Sequence, residues 1–210
     1  MRSENNAEYM QVNFSEPKKL DKGLGVPYPK VELPTSTNIG YFDTKRFPEK
    51  IDIFPELKGW PEIKDLIKVV NQTDSIFRSL RCDVAQCKIA RDSYRHKISS
   101  YVTLAFEILE WNSKENFKQL HDEFLTFAKT QSVRADNIVE FVLEPTSYNE
   151  HAYIAWSVDI WDHGFGRTGK EAKRNWLSGL CIIKAFVADQ NQRYRNQLFK
   201  ARRKIGDILI

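Results

Sequence analysis

Long apolar runs are missing from this chain, and nothing in its 210 residues approaches the roughly 18 uninterrupted apolar positions a membrane span needs. The first twenty residues mix acids and bases without an apolar core, so no secretory signal is expected. Cysteine is scarce. Cys82, Cys87 and Cys181 are odd in number and irregularly spaced, which argues against a disulfide framework and for a reducing, intracellular setting, nuclear or cytoplasmic. The four histidines (His96, His121, His151, His163) are too scattered for a metal site, and Cys82-x4-Cys87 has no matching pair. His121-Asp-Glu123 lacks a second ligand cluster and reads as a solvated helix face. Gly164-x-Gly166 lacks the third glycine and downstream acid of a dinucleotide fingerprint. No Ser-His-Asp set or paired-carboxylate constellation can be assembled. Neither enzymatic activity nor a metal or cofactor is expected.

What is present is ordinary in amount and uneven in layout. Hydrophobic residues make up 41% and charged residues 29%, a globular balance. The net charge of +4 hides a polarity along the chain. Residues 136–163 hold six acids and no Lys or Arg, and these carboxylates read as the solvent side of strands. Residues 164–210 hold eleven basic residues against three acids, an excess that attracts phosphate. The same excess is also compatible with a solvated basic helix.

Residues 1–60 read as a Pro-rich extended arm: seven of the eight prolines lie within residues 1–61. Its apolar residues suit an arm laid over a surface, its own or a partner's. Residues 61–112 read as a helical region. Pro61 sits at a first-turn position, and Ile63, Leu66, Ile67, Val70, Ile76, Phe77, Leu80 and Val84 recur mostly three or four apart. Ser99 to Trp111 reads as a continuation of that helix, although its β-branched content also permits a strand.

Residues 113–189 carry a different pattern. Ser113 is a plausible N-cap, and Phe117, Leu120, Phe124, Leu125 and Phe127 form one apolar helix face. Ile138 to Glu144, stopped by Pro145, reads as a strand, and Ile154 to Ile160 alternates with period two. Ala172, Trp176, Leu180, Ile183 and Val187 recur at helical spacing from about Thr168. The fold class expected is α+β: a mostly helical N-terminal region followed by an α-β-β(-β)-α domain, with residues 190–210 a basic helix extension.

The string from Val158 to Lys173, with Gly164, Phe165, Gly166, Thr168, Lys170, Ala172 and Lys173, resembles the last strand and second-helix entry of double-stranded RNA-binding domains. His151 falls near that family's loop histidine. The resemblance covers about 77 residues. Gly169 replaces one of the family's lysines, and Trp176 stands where a small residue is usual. It implies a dsRBD-like module that binds structured or double-stranded RNA through Lys170, Lys173, Arg167, Arg174 and His151. A-form RNA is read by shape, phosphate and 2′-hydroxyl, and a helix N-terminus with lysines suits the first two. Gly164 and Gly166 would then turn the chain tightly into the helix.

About 110 residues precede that module, and their amphipathic stripe needs covering. The expectation is therefore an RNA-associated binding protein that docks a protein partner, or a second copy, through residues 1–112, anchored by Trp60, Phe77 and Leu80. The alternative is an adaptor or regulatory subunit whose dsRBD-like part serves dimerisation or docking.

Overall fold

The computed structural model describes residues 10–17, 23–30, 39–91, 93–131, 136–148 and 153–206. Two long antiparallel hairpins build its sheet. The first joins β3 (Phe77–Arg91) to β4 (Tyr94–Phe106), and the second joins β5 (Asn137–Tyr148) to β6 (Tyr153–Gly166). Because β4 pairs with β6, the hairpins merge into one sheet ordered β1-β5-β6-β4-β3. β1 (Gln11–Ser15) and the short β2 (Leu24–Val26) run parallel to successive halves of β5.

Three α-helices share a core with this sheet among the described residues: α1 (Pro61–Val70), α2 (Lys114–Thr130) and α3 (Gly169–Gly206). Ser113 caps α2 as its position suggests, its Oγ accepting from the Asn116 N–H at 3.2 Å. Phe124 of α2 meets Phe141 of β5 and Phe186 of α3 at ring separations of 5.1 Å. Trp176 of α3 is wholly buried, and its indole N–H donates to Ser100 Oγ of β4 at 2.9 Å. That bond removes the penalty of burying the indole nitrogen.

This mixed six-stranded sheet overturns the expected helical N-terminal region followed by a dsRBD-like domain. Only ten residues of 61–112 form an α-helix, and Phe77–Arg91 and Tyr94–Phe106 are strands. The apolar spacing misleads there because a β-bulge between Ser79 and Arg81 shifts the register. The extra residue, Leu80, turns to the other face and switches the core-facing positions from odd (Phe77) to even (Cys82, Val84), so that Phe77, Leu80 and Val84 recur in apparent steps of three and four. Nor do residues 113–189 form a sheet of their own, since β6 continues into β4 and β3.

The Pro-rich arm covers this chain's own sheet. Leu24 and Val26 pack with Leu80 and Ala105, joined by Tyr28 and Tyr41, on the sheet face opposite the helices. Tyr28 donates its hydroxyl to the Leu80 carbonyl at 3.2 Å. Thr103 and Ala105, which point to that face, are fully buried as a result. A strand covered on both faces loses its alternation, which explains the apolar run from Ser99 onward.

Candidate nucleic-acid interface

β6 ends where α3 begins, and the glycines there serve the join. Gly164 and Gly166 lie inside β6 rather than in a turn. A Cβ on Gly164 would stand 2.3 Å from the Trp176 backbone nitrogen and 2.6 Å from the Ala172 carbonyl oxygen. One on Gly166 would stand 2.3 Å from the Ala172 nitrogen. The glycines therefore let α3 lie directly on the strand, which replaces the expected tight turn.

The start of α3 is capped from within. The Glu171 N–H donates to Thr168 Oγ1 at 3.2 Å, and the Arg167 N–H donates to Glu171 Oε2 at 2.8 Å. Those two N–H groups are thus already engaged within the chain. Arg167, Lys170 and Arg174 are exposed. Lys173 is partly tied down, its Nζ 3.2 Å from Glu62 Oε1 and 5.8 Å from the Trp60 ring centre.

The first hairpin brings further cations to the same end of the sheet. His96 pairs with Gly166 and Lys97 with Phe165 across β4 and β6, while Lys88 pairs with His96 across β3 and β4. A Cβ on Gly169 would sit 3.3 Å from Gln86 Nε2 and 3.8 Å from His96 Nδ1, so the helix start touches the hairpin. Lys88 and Arg95 are exposed, and Lys97 Nζ lies 5.5 Å from the Phe165 ring centre. Lys88 and Arg95 thus lie at the same end of the sheet as Arg167, Lys170, Lys173 and Arg174, with Glu171 and Glu62 bonded within the chain, while Lys97 lies with Phe165 and His163 on the sheet face opposite α3.

Of the acids of 136–163, Asp136 lies beside this end, its backbone carbonyl accepting from the Phe165 N–H at 2.9 Å, and two others are not on the solvent side. Asp159 is 6% exposed and Asp162 1%. Arg81 Nη2 bonds Asp159 Oδ2 at 3.0 Å and also contacts Glu144, while its Nε donates to Thr103 Oγ1. Burial raises the Asp159 and Glu144 pKa values against the pull of Arg81. Asp162 sits in the core beneath α3, where burial holds its carboxyl well above the usual range. Gly179 leaves room for it there, since a Cβ would stand 2.3 Å from Asp162 Oδ1. Glu140 lies 3.3 Å from His163 Nε2. Burial and Lys97 lower the His163 pKa despite that carboxylate.

Of the residues singled out in the sequence, Arg167, Lys170, Lys173 and Arg174 fall together. His151 lies outside the described residues. The expected partner anchors are placed differently. Phe77 and Leu80 are interior, at 0% and 3% exposure, and Trp60 packs edge to face on Trp176 at 5.4 Å. Lys88, Arg95 and Lys97 were missed because their segment read as helix; the Asp92-Ser93 pair between them was the available turn signal. No group of three or more metal-ligating side chains occurs among the described residues. No helix among them is long and apolar enough to cross a membrane. No protein-family model, curated protein or solved structure matches this chain.

Proposed function

We propose that this chain is a non-enzymatic binding protein that takes the phosphate backbone of structured RNA on its basic end. One observation carries the reading: cations distant in sequence, on the first hairpin and at the start of α3, are gathered at one end of the sheet, with Glu62 and Glu171 bonded within the chain. Six basic side chains there (Lys88, Arg95, Arg167, Lys170, Lys173 and Arg174) offer several phosphate contacts, and each contact makes binding fall with salt. Lys170, Arg174 and Lys88 are the most available; Lys173 also braces Trp60 and Glu62. Along α3, 33 residues of helix place the backbone of Arg203 about 50 Å from that of Lys170. Gel-shift titration with a roughly 20-base-pair RNA duplex at two salt concentrations tests the reading, with a DNA duplex of the same sequence as comparison. Absence of salt-dependent binding to the RNA would overturn it.

A protein partner on the N-terminal region is a second reading, and it has its own support. Phe47 and Ile53 are 44% and 48% exposed, the large apolar residues left open to solvent among those described. Phe47 precedes the 3-10 turn Pro48–Ile53 and Ile53 ends it. Such a partner would dock there rather than on Phe77 and Leu80.

A further inference from the structure

β3 is an edge strand, and the two halves of its outer edge differ. Near its start the outward groups are taken by side chains. The Phe77 carbonyl accepts from Lys45 Nζ at 2.9 Å, and the Ser79 N–H donates to Asn71 Oδ1 at 2.9 Å. Past the bulge, the Val84 N–H donates to Asp83 Oδ1 at 2.7 Å. Residues of an antiparallel strand bond its partner and the far side in alternation, so Gln86 and Lys88 turn their N–H and C=O groups outward with Val84. Nothing among the described residues takes those groups. Ala85 to Lys88 are exposed, and Lys88 is the one charge between Val84 and Ala90. An open edge of low charge is a template for another strand.

Self-complementarity narrows the occupant. Centred on Cys87, an antiparallel pair of copies sets Gln86 of each against Lys88 of the other, and their outward groups exchange about four hydrogen bonds. Each ammonium group then faces a side-chain amide, whose oxygen accepts. Centred on Gln86, the pair would oppose Lys88 to Val84, whose N–H Asp83 already holds. Centred on Lys88, it would set two ammonium groups against each other.

We propose that a second copy of this chain pairs with β3 antiparallel, about a two-fold axis at Cys87, and joins the two sheets into one. The axis passes beside Lys88 of both copies, so the pairing also unites two basic ends. The strand pairing itself does not rest on the RNA reading. Its interface falls below about 1,200 Å², the class of weak contacts that form as concentration rises.

Sedimentation of the reduced full chain without RNA tests it, so its failure leaves the RNA reading standing. The parent is expected to pass from monomer to dimer with rising concentration. Gln86→Pro removes an outward N–H and keeps the bonds between β3 and β4, so it is expected to stay monomeric at the parent's melting temperature. A short bismaleimide reads the axis, because cysteines facing each other across it have Cβ atoms about 5 Å apart. Each thiol adds to one maleimide double bond, the sulfur bonding one carbon and the proton passing to the other. Cys181→Ser removes the other exposed cysteine, and this variant is expected to be linked as a dimer. The Cys87→Ser, Cys181→Ser double variant is expected to stay unlinked. A parent that remains monomeric up to about 1 mM overturns the proposal. So does a dimer that survives Gln86→Pro, or one that Cys87 does not link. If Gln86→Pro fails to fold, the parent's sedimentation and the linking decide.

Discussion

Replacing Gly164 by alanine tests the join between β6 and α3, because it adds one methyl group where the helix backbone already lies. The new Cβ would stand 2.3 Å from the Trp176 nitrogen, 2.5 Å from its Cβ and 2.6 Å from the Ala172 carbonyl oxygen. Backbone atoms cannot rotate aside, so α3 must lift, and Trp176 and its bond to Ser100 move with it. Overpacking of this kind costs about 1–3 kcal/mol, and an unyielding backbone neighbour puts the cost near the upper figure. In a chain of this size each kcal/mol lowers the melting temperature by about 2–4 °C, so a fall of roughly 6–12 °C is expected. Gly166→Ala should behave similarly, its Cβ meeting the Ala172 nitrogen at 2.3 Å. Gly169→Ala is the control. Its Cβ would meet the end of the Gln86 side chain at 3.3 Å and His96 Nδ1 in ordinary contact at 3.8 Å, and alanine favours the helix, so the net change should stay within about 0.5 kcal/mol. Thermal unfolding followed by circular dichroism reads all three. A Gly164→Ala protein melting within about 2 °C of the parent would refute the close-packing argument.

Asp162→Asn should stabilise the fold more at pH 8 than at pH 4. Burial raises the folded-state pKa of Asp162, so its stability contribution is full below the unfolded value near 3.8 and is lost as pH rises. Urea midpoints that differ equally at both pH values would contradict this. Arg81→Met should cost about 2–3 kcal/mol, because Asp159 and Glu144 lose their shared cation in a partly shielded site. A loss under about 0.5 kcal/mol in urea unfolding would show that the network is solvated. The Phe47→Ser, Ile53→Ser double variant should keep its melting temperature and lose any protein that co-purifies through the N-terminal region. Retained co-purification would place that partner elsewhere.

The second half of the fold was legible because local signals agreed there. Ser113 marked the start of α2, the apolar run from Ile138 marked β5, and the apolar period changed from two to 3.6 near Thr168, although β5 runs on through Pro145, where the sequence suggested a stop, to Tyr148. The first half was not, because tertiary structure erased the pattern. The bulge at Ser79/Arg81 broke the alternation of β3, and beyond it Ala85 to Lys88 are exposed whichever face they occupy. In β4 the arm buries the face that would otherwise be polar. Part of the basic cluster shared this fate: the cations of α3 stood out by charge, while Lys88 needed strand pairing with His96 to reach them. The paired hairpins also turned Phe77 and Leu80 from expected anchors into core. Charge alone could not separate Asp159 and Asp162, which are buried, from Glu140 and Glu144, which are partly open.

The salt dependence of duplex RNA binding, compared among the parent, Lys88→Glu and the Lys170→Glu, Arg174→Glu pair, tests the central claim most directly. The helix pair should lose roughly tenfold or more in affinity, and the log–log salt slope should fall by about one for each phosphate contact removed. Lys88→Glu, on a strand far away in sequence, should lower both affinity and slope in the same sense. An unchanged affinity and slope in both variants, or no salt-dependent binding by the parent protein, would contradict a single RNA-binding surface at this end of the sheet.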